Sequence, residues 1–340
     1  MVDKNLVIIR TDGGICSQIA FAALGKYFED KGCKVKYETD WFKEWGKGTD
    51  GRLIMNYDMP KAFPNINSEI ASDNEIKYTK ENYTLTKTIS ECDSLAYING
   101  YPPEREISLI KYKDYFKEHF NPIDKILVAD IEKNILSGVS CGVHVRRGDL
   151  SVYNSAYGYP TPVEYYVKAI KIIHGLSPDV KFFFFSDECD WIRQEIVPKI
   201  DFNINYKICD KNGTDKGYLD LYLMTKCDYL ISSSGSLARF AKILSDKNPL
   251  LIMDRYRSPF VENFENVIIL NDTILINAKN KHQEYVYVNN NKIKNKQKQT
   301  FAQKLFSIKN SEDKKHKVVS LLGIKIKFRK AQTLARVGRE

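Results

Sequence analysis

Two adjacent arginines, Arg146 and Arg147, lie in a run that joins a strand-like pattern to a cluster of charge. The run 141–150 reads Cys-Gly-Val-His-Val-Arg-Arg-Gly-Asp-Leu, and its alternating valines are typical of a strand with one buried face. Gly148 interrupts the pattern where the strand would end, at the edge where open α/β sheets bind ligands. Two guanidinium groups there suit a diphosphate, since each can bond two oxygens. A solvated pair, or one bonded to acids such as Asp149, is the plain alternative.

The same run resembles a family signature. His144-x-Arg146-Arg147-Gly148-Asp149 is similar to the His-x-Arg-Arg-Gly-Asp motif of the α-1,2-fucosyltransferases, and more loosely to the His-x-Arg element of α-1,6- and protein O-fucosyltransferases. The resemblance implies that His144 binds the donor GDP-fucose. We expect Arg146 to stabilise the departing diphosphate, with Arg147 as a second contact or as the structural partner of an acid. Asp149 is a candidate base, or a residue that orients the arginines or caps the turn.

A glycine loop follows the first apolar run of the chain. Gly13 and Gly14 would let the backbone turn tightly and approach a ligand at the start of a helix. An ordinary turn between a strand and a helix is the simpler explanation. Residues 13–18 resemble the family's Gly-Gly-Leu-Gly-Asn-Gln at both glycines and at Gln18, which implies that these three residues lie at the donor. Ser17 replaces the family's asparagine.

Three acids follow the apolar run 181–185. Asp187, Glu188 and Asp190 could form a metal cluster, but their position at a helix start also suits amino-terminal capping, which we favour. Asp187 is in addition a candidate for donor contact. The family is regarded as metal-independent, so the resemblance implies no metal site and no cofactor beyond the donor substrate.

A serine-rich turn follows a second strand-like run. Ser234, Gly235 and Ser236 can present hydroxyls and helix-start amides to phosphate oxygens, although a serine cap on a flexible turn is the bland alternative. The resemblance implies that Asp220, on the helix before this turn, meets guanine and that Ser236 meets phosphate. The family's tryptophans after the turn are absent here, so the donor class is better supported than the linkage.

The elements that must position these residues alternate strand and helix from Cys141 onward. The stretch 161–164, Thr-Pro-Val-Glu, predicts a capping box at the start of one helix. The chain thus has two halves, one with a glycine turn and one with a serine turn. This organisation predicts an α/β, GT-B-like fold of two Rossmann-like domains facing a cleft, and the family resemblance implies the same fold. We predict an acceptor-side domain over 1–138, a GDP-fucose-binding domain over 139–275 and a basic tail over 276–340.

Charge is concentrated in that tail. Residues 276–340 carry 17 Lys and Arg against 4 Asp and Glu, whereas residues 1–275 carry 35 against 39. The interleaved cations and apolar residues of 318–330 suit an anionic membrane surface. A nucleic-acid role for the tail is the alternative, but the acidic body offers no matching basic face, so we expect no nucleic-acid partner.

Targeting and redox signals are few. The chain shows no run of about 18 to 20 apolar residues and no secretory signal, so we expect a cytoplasmic protein, with peripheral attachment to the inner face of the membrane through the tail. The seven cysteines, without Cys-x-x-Cys spacing, predict neither a disulfide framework nor a zinc site.

Taken together, the motifs predict an inverting enzyme that transfers fucose from GDP-fucose to an oligosaccharide or lipid-linked glycan, most simply with an α-1,2 linkage. A fucosyltransferase of another linkage and a nucleotide-sugar-binding protein without transfer activity are the alternatives. Turnover distinguishes the enzyme from the binding protein.

Overall fold

The computed structural model describes residues 5–46, 54–82, 95–102, 104–152, 160–254, 260–271, 284–288, 306–310, 316–321 and 324–329. Within these ranges the chain is an α/β protein with two sheets of mainly parallel strands. This confirms the predicted fold class.

The first sheet has three parallel strands in the order β2-β1-β3. Their bounds are Leu6–Arg10 for β1, Lys34–Glu38 for β2 and Ala96–Ile98 for β3. Short runs of β-branched and aromatic residues form all three, and β1 is buried on both faces from Leu6 to Ile9.

The second sheet has seven strands in the order β10-β9-β8-β7-β4-β5-β6, parallel except for β10. The bounds of β4 to β10 are Ser140–Val145, Lys181–Ser186, Asn205–Cys209, Tyr229–Ile231, Leu250–Met253, Val267–Asn271 and Glu284–Val288. The phenylalanines of β5 are fully buried and alternate between two core clusters, which is why this strand reads as a continuous apolar run.

Helices connect the strands and cover the sheets. In chain order, α1 to α13 are Ile15–Glu29, Asp40–Glu44, Met59–Ala62, Asp73–Asn82, Glu104–Lys111, Lys113–His119, Ala129–Leu136, Gly148–Val152, Val163–Leu176, Cys189–Trp191, Gly217–Met224, Leu237–Leu244 and Phe260–Asn263. A third, antiparallel sheet consists of β11 (Phe306–Asn310), β12 (His316–Leu321) and β13 (Ile324–Arg329).

The helix α1 contributes to the hydrophobic cores of both parallel sheets. Phe21, Leu24 and Phe28 on one side of this helix pack against the first sheet. Ile15 and Ile19 on the other side join the larger cluster that covers the second sheet. Because α1 is buried nearly all round, its amino-terminal end is fixed relative to the strand ends of both sheets.

One local prediction is wrong, and the sequence assigned no structure to two further segments. The predicted capping box is absent: α9 begins at Val163 without a side-chain cap, because the Thr161 hydroxyl bonds Ser234 instead. The unassigned region 41–91 contains parts of α2 and all of α3 and α4. The edge strand β6 was not predicted, since its residues are half exposed and lack an apolar run.

The tail and the loop after the Arg146 motif are only partly described. Of the loop 151–159, residues 153–159 lie outside the described residues, as do 292–298. β10 comes from the segment predicted as tail and pairs with β9 of the second sheet. None of the helices in the described ranges has the length and apolar character needed to span a bilayer.

Candidate active site

Arg146 lies in the two-residue connection between the end of β4 and the start of α8. Its guanidinium donates two hydrogen bonds to the Asp149 carboxylate, Nε to Oδ1 at 3.0 Å and Nη2 to Oδ2 at 2.5 Å. The side chain keeps 34% of its surface exposed. Burial opposes the charge, but the bond to Asp149 raises the pKa of Arg146. A cation is thus held in one orientation at the strand end.

Arg147 points to a different set of partners. Its Nε donates to Glu188 at 3.2 Å, and its guanidinium lies 3.9 Å from the centre of the Trp191 ring. Of the two roles expected for Arg147, the geometry favours the structural pair with an acid.

Asp187 holds the motif in place. Its two carboxylate oxygens accept the backbone amides of Arg147 and Gly148, each at 3.0 Å. The sequence predicted that these acids cap the helix near Asp190, but α10 has no side-chain cap. Asp187 caps the start of α8 instead. Burial raises the pKa of Asp187, and the amide bonds oppose this.

No group of three or more His, Cys, Asp or Glu side chains within the described ranges is arranged to hold a metal ion. Glu188 is bonded to Arg147, and Asp190 is bonded to Arg193 at 2.8 Å. Each acid of the sequence cluster thus has a partner inside the protein.

His144 is a neutral group behind Arg146. Burial, with the nearby Arg146 charge, lowers the pKa of His144 to about 3. Its Nδ1 lies 3.0 Å from the Ser233 hydroxyl. A Cβ on Gly235 would stand 2.8 Å from His144 Cε1 and 3.1 Å from Arg146 Cδ. Gly235 is therefore required for the close packing of the serine turn against the motif.

The serine turn connects β7 to α12. Ser234 faces away from the motif: its amide donates to the Thr161 hydroxyl at 2.9 Å, and its own hydroxyl donates to Asp254 at 3.2 Å. Ser236 is the N-cap residue of α12, with no side-chain cap bond. The turn is thus anchored by Ser234, while Ser236 stands at the helix start, where anions are favoured.

The glycine loop meets this turn from the other side. Gly13 has a positive φ of 72°, and Gly14 is the N-cap residue of α1. Cys16, in the first turn of α1, forms a side-chain hydrogen bond with Ser236 and lies within the electrostatic influence of Arg146. Burial raises the pKa of the Cys16 thiol to about 11. The start of α1, Ser236 and Arg146 are thereby brought together.

Gln18 braces the glycine loop through hydrogen bonds to backbone groups. Its side chain is 1% exposed. Its amide nitrogen donates to the carbonyls of Gly13 and Asn56 at 3.0 and 2.7 Å, and its oxygen accepts the Asp58 amide at 2.8 Å. The resemblance implied donor contact for Gln18, but these backbone bonds give it a structural role, since the side chain is buried and fully bonded.

A cleft of about 660 Å³ opens at the ends of β5 and β6. Its lining is rich in acids and contains one aromatic residue: Asp187, Glu188, Asp190, Trp191, Asp210 and Asp220. The Asp220 carboxylate accepts the Asn212 amide at 2.6 Å. Burial raises the pKa of Asp220 to about 7. The cleft therefore offers hydrogen-bond acceptors to a ligand that carries N–H groups.

The sequence matches a known family over more than half its length. The profile of Glycosyl transferase family 11 covers residues 66–277. The chain belongs to glycosyl transferase family 11. This confirms the α-1,2-fucosyltransferase-like resemblance, and the protein is a glycosyltransferase.

Two relatives of this family 11 glycosyltransferase come from Escherichia coli. An α-1,2-colitosyltransferase is 27% identical over 260 residues, which cover 69% of this chain and 86% of the relative. The O-antigen biosynthesis glycosyltransferase WbnK is 28% identical over 87 residues, 25% of this chain and 28% of that relative.

Among solved structures, fucosyltransferase NodZ from Bradyrhizobium has a TM-score of 0.49 and 13% identity, over 85% of this chain and 100% of that one. POFUT1 in complex with GDP has a TM-score of 0.42 and 11% identity, over 74% and 99% of the two chains.

Several site residues of this family 11 enzyme were not singled out from the sequence. Trp191, which stacks on Arg147, and Asn212, which bonds Asp220, lie in segments without a motif. Asp12 could have been identified from the sequence, since it directly precedes Gly13 and Gly14. The remaining predicted residues fall into two sets: His144, Arg146, Gly235 and Ser236 converge with the start of α1, whereas Asp220 lies with Asp187 at the cleft.

Proposed function

We propose that this family 11 glycosyltransferase transfers L-fucose from GDP-fucose to a hydroxyl of a glycan acceptor, with inversion and with an α-1,2 linkage. The observation that carries the proposal is the fixed position of Arg146, held by Asp149 beside Ser236 and the start of α1. One cation and two helix starts suit the two phosphates of a nucleoside diphosphate.

The cleft beside Asp220 suits the guanine base. Guanine presents a ring N–H and an amino group on one edge, and a carboxylate can accept both hydrogen bonds. Asp220 and its acidic neighbours supply such acceptors, and Trp191 supplies an aromatic wall. A uracil or adenine base has no matching pair of donors.

Inverting transfer takes one displacement at the anomeric carbon. As the bond to the diphosphate breaks, negative charge grows on the leaving oxygen, and Arg146 stabilises that charge more than it stabilises the bound donor. Asp187 holds the backbone of the motif through two amides, and Asp149 orients the Arg146 guanidinium.

The sugar has two candidates of the same class. The E. coli relative acts with colitose, which is fucose without the 3-hydroxyl group. The experiment supplies GDP-fucose and GDP-colitose in separate reactions with a panel of β-galactoside oligosaccharides, and the products are analysed by mass spectrometry and NMR. We expect transfer of fucose to the galactose 2-hydroxyl.

Other outcomes change the proposal in defined ways. Preference for GDP-colitose would replace the donor, and a product linked at another hydroxyl would replace the linkage. Binding of GDP without turnover of either donor on any acceptor would favour a nucleotide-sugar-binding protein. The O-antigen relative supports surface-polysaccharide fragments, free or lipid-linked, as the first acceptors to test.

We also propose that transfer requires no divalent metal, because Arg146 supplies the charge that stabilises the leaving diphosphate. Turnover should persist in excess EDTA. Loss of turnover in EDTA with recovery in Mg²⁺ or Mn²⁺ would contradict this and would direct attention to Asp187, Glu188 and Asp190.

A further inference from the structure

A polar group on the first sheet takes no part in the donor site described above. Asp12 follows β1 and Tyr101 follows the neighbouring parallel strand β3, so both lie at the same edge of the sheet. The Tyr101 hydroxyl donates a hydrogen bond to Oδ1 of Asp12. Asp12 is 9% exposed, whereas 60% of the surface of Tyr101 is exposed. The pair is therefore a carboxylate under the rim of the sheet with a phenol above it.

Arg105, on α5, completes this cluster. Its Nη1 donates to the Ser17 hydroxyl at 2.9 Å, and its guanidinium lies 4.5 Å from the ring centre of Tyr101 and 4.9 Å from that of Phe21. Its Nε is buried with no hydrogen-bond partner. Arg105 thus holds the tyrosine ring, but it makes no direct ion pair with Asp12 among the contacts of the described residues.

The cluster stands beside the donor site. Asp12 directly precedes the glycine loop, and Cys16, four residues further on, bonds Ser236 close to Arg146. Four residues span at most about 14 Å of chain, so Asp12 is within reach of a sugar bound between these elements.

The acids of the central motif already have partners. Asp149 accepts two bonds from Arg146, Asp187 accepts two backbone amides, and Glu188 accepts from Arg147. Asp12 differs from these acids. Only its Oδ1 accepts a hydrogen bond within the described part of the chain, and its Oδ2 is not among the buried atoms that lack a hydrogen-bond partner. One oxygen of Asp12 is therefore available to a hydroxyl group.

We propose that Asp12 is the general base for the acceptor, with Tyr101 as its positioning residue. The assignment rests on the proposed function. The acceptor hydroxyl oxygen forms a bond to the anomeric carbon of fucose while the bond from that carbon to the phosphate oxygen breaks. The electron pair of the broken bond leaves with GDP. The hydroxyl proton passes to Oδ2 of Asp12, which releases it to solvent after the glycoside departs.

Asp12→Asn should lower kcat for transfer by at least about 100-fold, the usual contribution of a positioned base, while the Kd for GDP stays within about twofold of the wild-type value. The matched control is Asp30→Asn. Asp30 lies just beyond the other end of α1, about 20 Å away, and it too accepts a tyrosine hydroxyl, from Tyr112 at 2.7 Å. Asp30→Asn should leave kcat unchanged.

Tyr101→Phe provides a readout that a structural role would not move. The phenol hydrogen bond orients the carboxylate, so its loss should lower kcat by about tenfold while the KM for the donor and the Kd for GDP stay within about twofold of the wild-type values. The charged group facing Asp12 from α5 is Arg105, with Glu106 beside it, and both remain in this variant. Tyr112→Phe is the control and should leave kcat unchanged.

The outcomes separate the two proposals. Near-normal kcat in Asp12→Asn, or a loss of GDP affinity parallel to the loss of turnover, would overturn the assignment of Asp12 as base. Normal kcat in Tyr101→Phe, or a rise in KM parallel to the loss of kcat, would overturn the role of Tyr101. Wild-type protein that transfers nothing from GDP-fucose or GDP-colitose would overturn the proposed function, and the base assignment with it.

Discussion

Arg146 and Asp149 are three residues apart and share two hydrogen bonds, so each fixes the orientation of the other. Both carboxylate oxygens of Asp149 accept hydrogen bonds from the Arg146 guanidinium, which turns the carboxylate toward Arg146. The geometry therefore favours the orienting role of Asp149 over the role of base, which the sequence left open. The sequence singled out both residues because they share one short motif.

Arg146→Ala should lower kcat by ~10² to 10³, because a preorganised hydrogen-bond donor to the leaving group is lost. Arg146→Lys should recover little of the lost kcat, because lysine lacks the bidentate fork of arginine. Asp149→Asn should lose part of the same activity. If Asp149 acts only through Arg146, the double variant should be no slower than Arg146→Ala alone. Steady-state kinetics of the four proteins test this cycle. Multiplied losses would give Asp149 a role of its own.

Asp220 makes a pH-dependent prediction. With a folded pKa of about 7 and an unfolded value of ~3.9, its carboxyl keeps a proton in the folded state that the unfolded chain releases, so its contribution to stability falls as pH rises from about 4 to 7. Asp220→Asn should therefore raise the Tm of the ligand-free protein more at pH 8 than at pH 5. Thermal melts at both pH values measure this difference.

The same substitution should weaken GDP binding. Guanine binds the ionised carboxylate, so wild-type affinity should improve as pH rises from about 6 to 8 and then level off, whereas the affinity of Asp220→Asn should be lower and flat. Titration calorimetry across this range provides the measurement. Equal GDP affinity in the two proteins would remove Asp220 from the guanine site.

At the scale of elements, strands were easier to predict than the contacts at their ends. β1 and β5 were visible as apolar runs because both faces are buried, and β4 was visible through its alternating valines. The partners of the site residues were not visible, because Arg147 meets Glu188 and Ser234 meets Thr161 across 41 and 73 residues of chain. The capping box failed for this reason, since a tertiary partner took the Thr161 hydroxyl.

The serine turn and β4 approach so closely that Gly235 has no room for a side chain. Gly235→Ala should displace His144 and Arg146, at a cost of about 1–3 kcal/mol in stability and about tenfold or more in kcat. Gly175→Ala, in α9, is the matched control, because a Cβ there meets no atom within 4 Å. Thermal melts and kcat of both variants decide the matter, and a Gly235→Ala enzyme with normal kcat would contradict the packing explanation.

At the scale of the whole molecule, α1 contributes to the cores of both parallel sheets, and its amino-terminal end lies at the candidate site. The order of motifs along the chain predicted the two sheets. It did not predict that Gln18 would be buried as a brace, because a glutamine in a family motif is equally typical of ligand contact and of backbone support.

The basic carboxyl-terminal segment is the last part of the molecule with a testable role. β10 pairs with β9 and completes the second sheet. A truncation after Val288 therefore removes the rest of the tail and keeps this sheet. Most of the Lys and Arg of residues 276–340 lie beyond that point. Each cation near an anionic surface contributes about 1 kcal/mol, and this attraction is screened by salt.

We therefore expect the full chain to sediment with vesicles that contain phosphatidylglycerol, and to be released by 0.5 M NaCl, whereas the protein truncated after Val288 should stay in the supernatant. Neutral phosphatidylcholine vesicles are the control. Transfer to a soluble oligosaccharide should be equal in the two proteins, because the described site residues all precede β10. A folded truncate that binds GDP but transfers no sugar to the soluble acceptor would place part of the active site in the tail, and equal vesicle binding by both proteins would assign any membrane contact to the α/β body.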